Sequence, residues 1–211
     1  MAYSNFTTIS QVQTAFTLSL AEPSDHFSHH HPLQPTAYLQ QTLQENLPLA
    51  TAINTEKARS ELLIAPVLLE IRRQLHFKIG FFSGTEFTVD PSLGLNGFCD
   101  YILTSEPNSY EIQSPVLTLV EAKNENLKGG LGQCLAEMVA AQRFNQEHHN
   151  SKIVSIYGAV TTGNIWKFLE LSGQNAFIDR RDYYINEIPA ILGILCIPFQ
   201  EILTSLTETF I

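Results

Sequence analysis

Charge is scarce in this chain. Only 16% of its 211 residues are Asp, Glu, Lys or Arg, against about a quarter in ordinary soluble domains, which excludes a charge-rich disordered chain and a coiled coil. Positive charge is scarcer still: twelve Lys and Arg face 21 Asp and Glu, a formal net charge of −9 with a pI near 5.2. A surface that is basic overall and grips any nucleic acid through its phosphates is thereby excluded. Cysteine is nearly absent. Cys99, Cys134 and Cys196 lie far apart with no C-x-x-C pair. Such an odd, sparse set suits a reducing compartment rather than a secreted disulfide framework, and each reads as a small core hydrophobe. Long apolar runs are missing too. The stretch from Ile188 to Phe199 is interrupted by Pro189, Gly193 and Pro198 and falls short of the ~20 residues that cross a bilayer. No basic segment followed by an apolar one opens the sequence, so no secretory signal is predicted. The expectation is a cytoplasmic protein with no membrane span.

What is present is a hydrophobic content of 44% in a chain of 211 residues. That length favours one domain, able to bury about 70% of its unfolded surface without disulfides or a structural metal. Residues 1–50 differ from the rest. They are rich in Ser, Thr, Gln and Pro, hold no Lys or Arg, and carry only Glu22, Asp25 and Glu45 as acids. Phe6, Ile9, Val12, Phe16 and Leu18 allow a short amphipathic or edge element, but Pro23, Pro32 and Pro35 prevent a continuous one. The expectation is an N-terminal arm, loosely packed over 1–50 and removable to about residue 45, followed by an α/β domain over 51–211.

In that domain, Glu56 to Gln74 reads as helix, with Ile64, Leu68, Ile71 and Leu75 at helical spacing and a kink or break imposed by Pro66. Strands are predicted over Phe81–Val89, Phe98–Thr104 and Val116–Ala122, the first two separated by a turn-rich segment from Asp90 to Gly97. The loop Gly129-Gly130-Leu131-Gly132 leads into a second helix with Leu131, Cys134, Leu135 and Met138 on one face. Ile153–Val160 and Ile165–Leu171 read as two further strands, and a helix with breaks closes the chain over Ile188–Leu206. Helix, three strands, helix, two strands, helix is the order of an α/β fold with a central mixed sheet flanked by helices.

The segment Val116-Leu-Thr-Leu-Val-Glu121-Ala-Lys123 is the most informative one. Side chains at i and i+2 on a strand share a face, so Glu121 and Lys123 point the same way at the end of an apolar strand. A Glu-x-Lys tripeptide arises by chance in a chain of this composition, and an exposed ion pair would explain it alone. Its neighbourhood gives it value. Asp100 is a lone acid within an apolar strand, and a buried carboxylate is costly unless it is paired or holds a metal. Glu61 sits on the first helix just before its apolar run, and Gln133 lies early in the helix after the glycines.

This ordered series, helix Glu61, strand Asp100, strand Glu121-x-Lys123 and helix Gln133, resembles the core of the PD-(D/E)XK nucleases, the restriction-endonuclease-like superfamily. The resemblance covers about residues 55–172. It implies that Asp100 and Glu121 bind Mg²⁺ (or Mn²⁺), that Lys123 is the catalytic lysine, and that Glu61 and Gln133 assist in the active site. Cys99 stands where the family's name has proline. Under this resemblance the partner is nucleic acid, DNA in preference to RNA, and a homodimer would place two sites for cutting both strands of a duplex. The chemistry agrees. Hard divalent ions take carboxylate and carbonyl oxygens, here Asp100, Glu121 and the Ala122 carbonyl, and lower the pKa of a bound water, which Lys123 could orient.

Plainer readings stand beside these. Asp100 could cap a loop or pair with Arg72 or Arg73, Glu61 could be a solvated residue beside Glu56 and Glu70, and Gln133 could be an ordinary polar residue of its helix. A different class of function also remains open, a catalytically silent fold that binds a protein or nucleic-acid partner. The candidate phosphate contacts are Lys57, Arg59, Arg72, Arg73, Lys78, Lys128, Arg143, Arg180 and Arg181. The run His26-Phe-Ser-His29-His30-His31 offers zinc-type ligands but lacks Cys partners. Tyr183-Tyr184 after two arginines reads either as a base-stacking patch or as packing against the last helix.

Overall fold

Strands rich in β-branched and aromatic residues, alternating with amphipathic helices, assemble here into one mixed sheet with helices on both faces. The structure, a computed structural model, describes residues 2–107, 110–148 and 155–200. Its helices are α1 (Ile9–Phe16), α2 (Ala37–Ile53), α3 (Glu56–Arg59), α4 (Ala65–Gln74), α5 (Leu127–Glu147) and α6 (Ile188–Cys196). Its strands are β1 (Ser19–Ala21), β2 (Gly80–Glu86), β3 (Phe98–Thr104), β4 (Val116–Ala122), β5 (Ser155–Thr161), β6 (Ile165–Ser172), β7 (Asn175–Ile178) and β8 (Tyr183–Tyr184). The sheet runs β1-β7-β6-β5-β4-β3-β2, with β8 also paired to β6. The β1–β7 and β4–β5 pairs are parallel and the other pairs antiparallel. The central mixed sheet flanked by helices is as expected.

Strand β4 is buried along its whole length, as a strand covered on both faces must be. One apolar layer joins the sheet to α2, α4 and α6 through Leu39, Leu68, Ile71, Val120 and Ile191. The other joins it to α1 and α5 through Val12, Leu119, Cys134, Leu135 and Met138. All three cysteines are buried free thiols.

Two local expectations are corrected and a third is met. The irregularity expected at Pro66, near Ile64-Ala65, is present: α3 passes into α4 through a π-helical turn, Ser60–Ile64, in which the Ala65 N–H donates five residues back to the Ser60 carbonyl, and Pro66 stands in the first turn of α4. The Leu62 carbonyl, which a proline at 66 cannot serve, accepts from Asn46 Nδ2 of α2 at 3.0 Å. The glycines at 129, 130 and 132 form no loop but lie inside α5, which starts at Leu127 behind an Asn126 cap. Glycine costs a helix about 1 kcal/mol relative to alanine, and here close packing demands it. A Cβ on Gly130 would stand 2.7 Å from Val160 Cγ1 and 3.1 Å from Lys123 Cε, and one on Gly132 would stand 2.4 Å from the Phe6 carbonyl oxygen. The last helix ends at Cys196 and gives way to a 3₁₀ turn, Ile197–Phe199, holding Pro198; the expected continuation beyond residue 200 lies outside the described residues. Strands β7 and β8 were not read from the sequence.

The largest correction concerns residues 2–50, expected as a loose arm. Tyr3 is fully enclosed, donating its hydroxyl to the Phe87 carbonyl at 2.7 Å and its N–H to the Asn96 carbonyl at 3.0 Å. The helix α1 opens with a reciprocal Thr8–Gln11 capping box and buries Val12 against the α5 layer. Strand β1 adds to the sheet beside β7. Phe27 packs in the opposite layer against Phe168, and Thr36 gives both its N–H and its hydroxyl to the buried Glu70 carboxylate. The segment thus contributes to both apolar layers and to the sheet.

Removing residues 2–50 is therefore expected to abolish cooperative unfolding, as followed by circular dichroism on heating. Gly132→Ala should cost roughly 1–3 kcal/mol in denaturant unfolding, because the added methyl group overpacks the Phe6–Thr8 backbone. A truncated chain that melts like the full one would show the segment to be dispensable.

Candidate active site

Where β3 and β4 part, the sheet opens. Their antiparallel ladder ends at the Tyr101–Val120 rung, while β4 stays paired to β5 through Glu121–Val160 and Ala122–Thr161. On the β3 side the Ala122 N–H has lost its strand partner and donates to Asp100 Oδ2 at 2.8 Å. A buried main-chain donor must find some acceptor, and this one draws the Asp100 carboxylate to the end of β4. Beside the gap lies an open pocket of about 330 Å³, bordered by Asp100, Ala122, Glu56, Lys57, Ser60 and Glu61.

Glu121 is 2% exposed. Its Oε1 is paired with Lys123 Nζ, and its Oε2 has no hydrogen-bond partner among the described residues. Burial first, and then the charge of Asp100, push the Glu121 carboxyl up to about 8, against the pull of Lys123. Burial lowers Lys123, yet the Glu121 carboxylate beside it outweighs that and leaves it raised. Lys123 lies along α5 where Gly130 leaves room for it, and its N–H donates to the Thr161 carbonyl at 2.8 Å.

Gln133 donates its side-chain nitrogen to Glu137 Oε1 at 3.1 Å. Glu137 was not identified from the sequence, where it is one polar residue within an apolar helix. It is fully buried, with Oε2 unpartnered among the described residues. Burial, followed by the charge of Glu121, holds it well above the usual carboxylate range.

The fully or nearly buried acids fall into two kinds. Glu70 accepts from the Thr36 N–H and hydroxyl, from Arg73 and from Gln74; Asp179 accepts from the Arg181 N–H and the Tyr183 hydroxyl. Those two are saturated by their own surroundings and hold the fold together. Glu121 and Glu137 each keep a buried oxygen without a donor, and an unsatisfied buried acceptor costs about 1–3 kcal/mol.

Asp100, Glu121, Ala122, Lys123 and, through Glu137, Gln133 are thus brought together. Glu61 stands at the pocket's rim with its side chain 61% exposed, in an ion pair with Lys57 at 2.9 Å. Glu56, on the same helical stretch, is the closer acid in effect: its charge reaches both Glu121 and Lys123. Asp100 forms no pair with Arg72 or Arg73. Arg72 donates to the Ile79 carbonyl and Arg73 to Glu70. Among the described residues, no group of three or more His, Cys, Asp and Glu side chains is arranged to hold a metal ion, so a cation here would rest on two carboxylates and main-chain oxygen. Two of the four histidines of the run are otherwise engaged: His26 bonds Glu170 at 2.7 Å and stacks on Phe177, and His30 bonds the Phe27 carbonyl. Tyr183 is buried against Phe168, whereas Tyr184 is half exposed.

Because Glu121 is raised in the folded protein, the folded state holds more protons than the unfolded one between the usual glutamate range and about 8. Its contribution is present at acid pH and is lost as pH rises through about 8. Denaturant unfolding from pH 5 to 9 should show wild-type stability falling over that window by something on the order of a few kcal/mol. Glu121→Gln should reduce this slope, leaving the part due to the likewise raised Glu137, and an unchanged slope would remove Glu121 as a source.

Compared with protein-family models, with curated proteins and with solved structures, the chain matches none.

Proposed function

We propose that this protein is a metal-dependent phosphodiesterase of the nuclease kind, acting on DNA in preference to RNA. One observation carries the reading: where two strands part, Asp100 is held at the end of β4 by the Ala122 N–H, its charge acts on the buried Glu121 paired with Lys123, and Glu121 keeps an oxygen unpartnered among the described residues. The donor set fits a hard divalent ion, which takes one or two carboxylates with waters and a phosphate oxygen. Asp100, Glu121 Oε2 and the Ala122 carbonyl would hold it. Bound there, magnesium or manganese supplies a Lewis acid for the phosphoryl oxygen and a water acidified towards neutral pH.

The chain's own residues do the rest. The charge of Asp100 disfavours the ionised form of Glu121, a cost that a cation would relieve. Lys123, kept protonated by Glu121, offers an ammonium from the same strand end to orient the attacking water or to meet charge developing on phosphorus. The burial of Glu121 strengthens its electrostatic interactions with these groups.

A second reading, a silent fold that binds a partner, is favoured by how the cations are used. Arg59 is buried on Asn54 and the Thr162 carbonyl, Arg143 pairs with Asp90, and Arg181 pairs with Glu187 and Asp25. Few of the nine candidate phosphate contacts remain for a long nucleic-acid track, so the enzyme reading requires a short contact with its substrate.

Cleavage of labelled single- and double-stranded DNA and RNA at low salt, in Mg²⁺ and Mn²⁺, separates the two. Wild type is expected to cleave, and Lys123→Ala to lose about a hundredfold in rate, the scale of one preorganised electrostatic donor, with metal binding retained. No cleavage by wild type on all four substrates would favour the silent fold. Equal cleavage by both proteins would remove Lys123 from the mechanism.

A further inference from the structure

A fully buried acid on α5 is unexplained by stability. Glu137 is fully buried on a helix whose other buried residues are mostly apolar, within reach of the charge of Glu121; replacing such a buried charge with a well-packed apolar residue is often neutral or stabilising. Among the described residues its one hydrogen bond is from Gln133, one helical turn earlier, and its second oxygen is unpartnered. Unlike Glu70, it pins no neighbouring element. Its effect is on Gln133.

A carboxamide is planar, with its nitrogen and oxygen on opposite sides of the same carbon, so fixing one fixes the other. Gln133 Nε2 is turned inward onto Glu137. The Gln133 oxygen is therefore turned away from Glu137, on a side chain that is only partly buried. We propose that Glu137 is a positioning residue of the candidate site: it holds Gln133 so that this side chain meets a ligand as a hydrogen-bond acceptor rather than as a donor. An acceptor suits an attacking water or the Lys123 ammonium, and it does not suit a phosphate oxygen. This inference rests on the phosphodiesterase reading for its catalytic consequence, and on the Gln133–Glu137 geometry for its structural one.

Two variants and two readouts test it. Glu137→Met removes the acceptor and keeps the volume apolar; Glu137→Gln retains an acceptor oxygen. The protein is otherwise the full chain. In wild type, the Gln133 side-chain amide protons should exchange slowly by NMR; Glu137→Met should lose that protection and Glu137→Gln should keep it. In the cleavage assay, Glu137→Met should lower kcat by about tenfold to a hundredfold, the usual scale for loss of a supporting residue, with KM within about twofold and the melting temperature unchanged or raised. Glu137→Gln should restore most of kcat, and adding Gln133→Ala to Glu137→Met should cost little more, since both act through one group. Wild-type kcat in Glu137→Met, or equal loss of kcat and of melting temperature in both variants, would overturn the proposal in favour of a packing role. If wild type cleaves nothing, the phosphodiesterase reading is what fails, and the amide exchange alone decides whether Glu137 orients Gln133.

Discussion

The candidate site depends on one hydrogen bond, from the Ala122 N–H to Asp100 Oδ2. It exists because β3 leaves β4 after the Tyr101–Val120 rung while β4 continues beside β5. A main-chain donor is thereby left at a strand end with no ladder partner, in a place too enclosed for water to serve it freely. Asp100 supplies the acceptor. Doing so brings a second carboxylate up to Glu121, and the repulsion between them is part of what raises Glu121. The opening of the sheet and the crowding of negative charge are one event seen from the backbone and from the side chains.

The remaining structure serves to keep that strand end in place. Gly130 lets α5 approach closely enough for Lys123 to lie along it, and Gly132 lets the N-terminal segment close over the same helix. The π-helical turn over Ser60–Ile64 brings the Ser60 hydroxyl to the Tyr101 hydroxyl at 2.6 Å, while Tyr101 also donates to the Ser60 carbonyl. The helix that carries Glu56 and Glu61 is thus tied to the last paired residue of β3. These contacts join the N-terminal segment, α5 and the α3–α4 stretch to a single point of the sheet.

Much of this was legible in the sequence. The strands Phe98–Thr104 and Val116–Ala122 are found with the expected bounds, because each is a nearly unbroken run of apolar residues with one acid near an end. Asp100, Glu121 and Lys123 stood out for that reason: a charge within such a run has to be answered by something in the fold. The Thr8-x-x-Gln11 spacing also carried a helix-start signature, realised as a reciprocal cap. That signal was not read from the sequence, where the prolines and the Ser, Thr and Gln content around it led to the expectation of a loose arm. Those residues describe how the segment turns, and say little about what it covers.

Composition and local pattern by themselves determined an α/β chain, two helix-covered faces and a strand ending in Glu-x-Lys, because these depend on spacings of two to four residues along one element. Tertiary structure alone decided the rest. That residues 2–50 belong to the core follows from β1 reaching β7 and Tyr3 reaching Phe87, contacts between residues far apart in the sequence. That Glu70 is a fastening while Glu137 is left with a free oxygen follows from which donors the fold brings near each. Both are single acids within helical sequence. Which of them is satisfied depends on neighbours that only folding brings together.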